Sequence, residues 1–401
     1  MFNSVEGNGR TEINLTDIIL NSRQIAAYCL CGYALFFAVS IAASNICLGL
    51  AFLFLLISIK NKSLHWEVPS KYFYSLVVFF GTFFCMIFIS GDISQGFERF
   101  MRFFTKLFPL VLVVLIVKNK SSLWKIFFCM CLSVVIMDIY AIIQGLQGSF
   151  RAQAFFSHPM YLAGLMVQFM PILIFLLLKA KARLERMFLG SLTVLSIAAL
   201  IFNGTRGAWI AIGITLFVGL LVYGEKRKRN LSIFLLGMVI LAVLFVGVPQ
   251  LDQRMETVTD IKYQSNSERL LMWQSAFHMF EDHPVFGVGL GQYEGNYRDR
   301  YISPLAKERG QGHAHNNVMQ LLAETGIVGA GLFCFMFISF IVYSFQDWIR
   351  NSHLPALLFA LVTMGLFVQG LTETNFGNSV VMQYFYFLMG LYFVSKNLQN
   401  K

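Results

Sequence analysis

Charge is scarce in this chain. Asp, Glu, Lys and Arg make up 13% of its 401 residues, where a soluble domain carries roughly a quarter. The chain also lacks an internal repeat, a low-complexity tail and any segment that reads as a separate soluble domain. No Gly-x-x-x-x-Gly-Lys-Ser/Thr motif occurs, which removes the usual ATP-binding loop. The loops assigned below to the outer face contain no Asp-x-Asp and no carboxylate cluster with histidine, the oxygen ligands a divalent metal on a diphosphate would want. No metal site is therefore expected. The seven cysteines all fall in apolar runs, read as small buried hydrophobes. Cys29/Cys31 and Cys129/Cys131 have the wrong spacing for zinc, and no disulfide is expected in the long hydrophilic stretch.

What is present is apolar. Hydrophobic residues are 57% of the chain and the mean hydropathy is +0.65. Apolar runs of a length that crosses a bilayer recur almost throughout. The net charge of +10 could suggest nucleic acid, but the basic residues sit in short clusters between apolar runs, as membrane orientation requires. About twelve spans are read, centred near residues 34, 53, 81, 111, 135, 169, 195, 215, 240, 334, 362 and 387. Ser40-Ile41-Ala42 resembles a signal-peptidase site weakly, yet a second run follows at once, so an uncleaved first span is expected.

The expected fold is an all-α integral membrane protein with one long outer loop. Residues 1–249 form spans 1–9, 250–314 the loop and 315–401 spans 10–12. Lysine and arginine clusters at 60–71, 118–125, 179–186 and 226–229, with Arg350 and both termini, mark the cytoplasmic face by the positive-inside rule. The segments 91–102, 148–158, 203–206, 250–314 and 372–379 then lie outside. Within the long loop, Ser265-Asn266-Ser267-Glu268 reads as a capping box. Leu270, Trp273, Ala276, Phe277 and Phe280 form an apolar stripe. A Gly287-x-Gly289-x-Gly291 turn follows His283-Pro284.

The candidate chemistry is at one end of the membrane. His313-Ala314-His315-Asn316 stands at the mouth of a predicted helix, where polar groups are costly unless they have work to do, and histidine can accept a proton near neutral pH. With a helix starting near His315, Gly326 and Gly329 share its face, and the glycines are expected to admit a neighbouring helix. His313 reads as a loop residue or a supporting partner. Arg206 in a tight connection, Arg269 in the loop helix and Arg151 ahead of Phe155-Phe156-Ser157-His158-Pro159 all lie in outer segments where arginine is disfavoured. Bidentate recognition of phosphate explains them, with interfacial snorkelling or a structural ion pair as the plain alternative. Arg99 and Arg102 near Asp92 and Glu98 read as an interfacial ion-pair cluster. Glu324 and Asp138 are intramembrane carboxylates, open to a functional role or to packing against a polar partner. Glu324 is expected on the far side of the helix from His315.

His315-Asn316, nine residues, then Gly326-x-x-Gly329 resembles the signature of bacterial O-antigen ligases. Thr205-Arg206-Gly207-Ala208-Trp209 resembles it too, as does Ser267-Glu268-Arg269 followed by Trp273, Ala276, His283-Pro284 and the glycine turn. The specific resemblance covers about residues 200–335. It implies an inner-membrane glycosyltransferase that needs no cofactor and moves O-antigen from undecaprenyl diphosphate to lipid A-core oligosaccharide at the periplasmic face. It also implies that Arg206, Arg269 and His315 are the functional residues. Arg151, His158, His313 and Asn316 are further candidates for substrate contact. An O-antigen polymerase using the same donor is the rival reading. A lipid-linked glycan flippase would call for repeats and broken helices, and neither is evident in the sequence.

Overall fold

Inside a bilayer the backbone must satisfy its own hydrogen bonds, so long apolar runs can only become helices or closed barrels. The computed structural model describes residues 15–59, 66–149, 151–224, 227–247, 264–307 and 309–399. Every regular element among them is helical. The first ten helices are α1 (Leu15–Phe36), α2 (Ile41–Ile59), α3 (Ser70–Ile87), α4 (Ile93–Phe104), α5 (Phe108–Ile116), α6 (Lys120–Leu146), α7 (Pro159–Lys179), α8 (Arg183–Asn203), α9 (Arg206–Tyr223) and α10 (Arg227–Gly247). Then come α11 (Gln264–Asp282), the single turn α12 (Tyr293–Asn296), α13 (Asn317–Asn351), α14 (Leu354–Gln369) and α15 (Ser379–Gln399). Seven of the described helices, α2, α3, α6, α7, α8, α9 and α13, are long and apolar enough to cross a membrane by length and composition. The run read as a span near residue 111 is the nine-residue α5. The run near 362 is the 16-residue α14.

Helix α13 packs against α14 and α3, and α15 packs against α5. Between them lies an aromatic core. Phe333 of α13 meets Phe376 edge-on at 5.0 Å, Phe337 stacks on Phe385 at 5.8 Å, and Phe103 stacks on Phe376 at 4.8 Å. Phe376 belongs to the connection between α14 and α15, so burying its ring anchors that connection to the bundle.

The long outer stretch is described from Gln264 onward; the part of the predicted loop at 250–263 lies outside the described residues. Helix α11 lies along α13. It buries Met272, Ala276 and Met279 against Tyr293, Tyr297, Ala314 and Ala323, with Trp273 packed at the margin. The buried face is therefore rotated from the expected stripe, and Leu270 and Phe277 are exposed. The Ser265 side chain of the expected capping box lies outside the described residues. Ser265 lies inside α11, and the Glu268 carboxylate accepts from the Lys307 N–H at 2.9 Å.

The Gly326/Gly329 expectation needs correction. Helix α13 is broken at Gly326, whose backbone has φ 59 and ψ −160. That conformation is open essentially to glycine alone. What approaches is a strap of backbone, not a helix. Val288 and Gly289 N–H groups donate to Ala323 and Glu324 carbonyls at 2.8 and 3.1 Å, and Ile327 N–H donates to the Pro284 carbonyl at 2.9 Å. A Cβ on Gly326 would lie 2.4 Å from the Val285 carbonyl, and one on Gly287 would lie 2.4 Å from Glu324 backbone. At Gly329 the space is filled by Thr325 of the same helix. A face argument presumes an unbroken 3.6-residue period, and the break removes that premise. It also means that a broken helix is present, although none was expected from the sequence.

Candidate active site around Glu373

The α14–α15 connection carries Glu373, a buried carboxylate that joins two of the sequence candidates. Its Oε1 accepts from the Arg269 guanidinium at 2.5 Å, and its Oε2 lies 3.4 Å from His315 Nδ1. Glu373 is 6% exposed, whereas the Arg269 and His315 side chains keep 22% and 23% of their surfaces. The arginine and the histidine are thus partly exposed, and the carboxylate between them is buried. Burial alone would push the Glu373 carboxyl up; the hydrogen bond from His315 and the charge of Arg269 outweigh it and hold the group below the usual carboxylate range.

Each partner is delivered by local backbone chemistry. Gly204, in the left-handed conformation at φ 63, ends α8. Only Thr205 separates it from Arg206, the first residue of α9. The Arg206 guanidinium donates to Asn266 Oδ1 at 2.9 Å. Asn266 is one turn before Arg269 on α11, so both arginines converge on the same end of that helix. Gly207 adds a second link. A Cβ there would lie 2.4 Å from Thr372 Oγ1, so the glycine lets the Glu373 connection settle on the start of α9.

His315 is not the first helical residue, as the sequence suggested. It precedes the cap of α13 and holds a left-handed φ of 48. The argument that put it on one helix face with Gly326 and Gly329 therefore does not apply. Asn316 is the cap: its Oδ1 accepts from the Val318 and Met319 N–H groups at 2.9 and 3.2 Å. Ala314, between the two histidines, is held from both sides. Its N–H donates to Gln320 Oε1 at 2.7 Å, and its carbonyl accepts from Trp273 Nε1 at 2.9 Å. Gln320 in turn donates to Glu324 Oε1 at 2.8 Å. Glu324, expected to be remote from His315, thus reaches the histidine segment indirectly. Its other partner is Arg99, at 3.7 Å. Arg102 pairs with Glu98, so the expected interfacial cluster is split between two partners.

The remaining candidates lie around this centre. The His313 and His315 rings meet edge-on at 4.3 Å. His158 caps α7, its Nδ1 accepting from the Met160 N–H at 3.2 Å, which leaves the proton on Nε2. Burial lowers the His158 pKa, and Arg151 and His315 lower it further while Glu373 opposes them. Burial and then His315 lower that of His313. Asp138 is elsewhere, buried in α6, with its carboxylate accepting from Ser196 of α8.

Glu373 is the residue that sequence reasoning missed. Its only signal was a lone carboxylate in a short outer connection between two apolar runs. Residues 191–334 match the family described as O-antigen ligase. The chain carries an O-antigen ligase family domain. The matched segment contains Arg206, Arg269 and His315, while Glu373 lies beyond its end. No curated protein matches the chain.

Proposed function

We propose that the chain is an O-antigen ligase: a metal-independent, inverting glycosyltransferase of the bacterial inner membrane. It transfers O-antigen from undecaprenyl diphosphate to the lipid A-core oligosaccharide, with its site facing the periplasm and both termini in the cytoplasm. The observation that carries this reading is that one buried carboxylate, Glu373, is shared by Arg269 and His315, in a chain whose residues 191–334 match the O-antigen ligase family.

The roles follow from the atoms. Nδ1–H of His315 points at Glu373, so Nε2 carries the lone pair. Nε2 removes the proton from the acceptor hydroxyl as its oxygen attacks the anomeric carbon of the donor. The glycosidic bond to the diphosphate breaks as the new one forms, and the bonding pair leaves with the phosphate oxygen. Arg206 and Arg269 stabilise the charge that accumulates there. A guanidinium has five N–H donors, so Arg269 can hold Glu373 and still present donors to a diphosphate. The buried carboxylate keeps the imidazolium and the guanidinium from repelling each other once the proton has moved. Inversion follows from a single in-line displacement, and no ATP is consumed because the diphosphate linkage already activates the sugar.

The test is lipopolysaccharide from cells in which His315→Ala replaces the chromosomal copy. The expected outcome is full-length protein in the membrane and no O-antigen ladder on lipid A-core. A normal ladder would remove His315 as the base.

A further inference from the structure

Asn317 belongs to none of the roles assigned above, yet it makes three hydrogen bonds to the connection that carries Glu373. Its backbone N–H donates to the Gly370 carbonyl at 2.7 Å. Its Nδ2 donates to Asn375 Oδ1 at 2.6 Å, and its Oδ1 accepts from the Phe376 N–H at 3.2 Å. Asn375 passes the arrangement on, donating to the Leu366 carbonyl at 2.8 Å and to Gln369 Oε1 at 3.2 Å. Asn317, Asn375 and Gln369 are all buried.

Two pairs now run side by side. His315 meets Glu373 and Asn317 meets Asn375, each at a sequence separation of 58. We propose that Asn317 is a positioning residue that sets the register between the His315 segment and the Glu373 connection, so that the carboxylate reaches Nδ1. The inference rests on the reading of His315 as base and Glu373 as its orienting carboxylate. Beside the packing of α13 on α14 and of Phe333 on Phe376, Asn317 supplies directional hydrogen bonds between the two segments.

Only a primary amide satisfies the site. Asn317 must donate to one partner and accept from another within the same plane, which a carboxylate cannot do and alanine cannot begin to do. Asn375 has already committed its own Nδ2 to Leu366 and Gln369, so turning it over to serve an aspartate at 317 would orphan two buried acceptors. Gly370 makes room for the arrangement: a Cβ there would sit 2.3 Å from Asn317 Nδ2. The consequence for catalysis is geometric. His315 stays in place, capped and held through Ala314, while the carboxylate drifts from Nδ1. A displacement of about 1 Å at a reacting pair can cost roughly 100-fold in rate.

The experiment is a double-mutant cycle on the detergent-solubilised full chain. It measures transfer from undecaprenyl-diphosphate-linked glycan to lipid A-core by wild type, Asn317→Ala, Asn317→Asp, Glu373→Gln and Asn317→Ala/Glu373→Gln. Asn317→Ala and Asn317→Asp are expected to lower kcat by roughly 10- to 100-fold with KM for the lipid-linked donor unchanged. The double variant is expected to be no slower than Glu373→Gln, because Asn317 acts only through that carboxylate. Wild-type kcat in Asn317→Ala would overturn the inference, and so would a loss that multiplies on top of Glu373→Gln. Should Asn317→Ala fail to fold, Asn317→Asp, which keeps size and shape, carries the same comparison in its own double variant. If Glu373→Gln itself transfers at the wild-type rate, the underlying reading of the site fails. If Glu373→Gln is slow and Asn317→Asp is not, only the register argument fails.

Discussion

At the scale of single residues, protonation decides the working range of the site. His158 and His313 both have pKa values below the ordinary 6.5, burial being the first cause in each. The unfolded chain therefore binds more protons than the folded one as pH falls below about 6.5, and stability declines from there until the lowered folded values are passed. Glu373 behaves differently. Its lowered pKa makes its contribution complete above the ordinary 4.5, and that contribution is lost only as pH falls through the lower folded value. Melting in detergent from pH 8 to pH 5 should be level near neutrality and fall below about 6.5. His158→Asn/His313→Gln, which keeps a capping side chain at 158, should flatten that fall; an unchanged decline would show that other groups cause it. At the arginines, the fork matters more than the charge. Arg269→Lys and Arg206→Lys should each reduce transfer by roughly 100- to 1,000-fold, the usual cost of removing one preorganised donor at developing charge. Full activity in both, measured as the ladder on lipid A-core, would remove the diphosphate clamp. His315, Arg269 and Arg206 stand out in the sequence as candidates because each violates the expected polarity of its surroundings. Glu373 was not, because a lone carboxylate in a short connection has no periodicity and no motif of its own; only the fold shows what it faces.

At the scale of elements, the strap of 284–289 and the break in α13 form one unit, since neither backbone is satisfied without the other. Gly326→Ala and Gly287→Ala each place a methyl group about one bond length too close to rigid backbone and force a positive φ on an L side chain. Each should destabilise the protein by roughly 1–3 kcal/mol and lower transfer, because the break directly follows Glu324, whose contact with Gln320 supports Ala314. Gly331→Ala is the control. It lies in the same helix with open space around its Cβ position and should melt at or above the wild-type temperature. Equal melting for all three would mean that the strap yields easily. The sequence showed that glycines recur at 287, 289 and 291 and again at 326. It did not show that the two sets meet, because pairing between segments separated by a whole turn and helix leaves no local pattern. The Glu268 contact was hidden for a related reason: its carboxylate accepts from the Lys307 N–H, a partner no local rule anticipates.

At the scale of the molecule, the helical, membrane-type architecture was readable from hydropathy alone, since apolar length is what a bilayer selects. The number of spans was less readable. Apolar runs near 111 and 362 became helices of nine and 16 residues, because packing among neighbours, not hydropathy, decides where a helix ends inside a bundle. Acceptor choice is also a property of the whole cell envelope. In a strain lacking the gene, long polymer stranded on the lipid carrier is the outcome expected for a ligase. A core bearing a single repeat unit would instead make the chain a polymerase. The position of Glu373 has a practical consequence for dissecting this protein. The family segment ends at residue 334, before the carboxylate is reached, so a fragment trimmed to the recognised boundaries would carry both arginines and the histidine with nothing to set them against one another. Two co-expressed halves cut at the left-handed turn after α13, at Ser352, would by contrast retain every polar group between them, provided the second half can find its berth against the first.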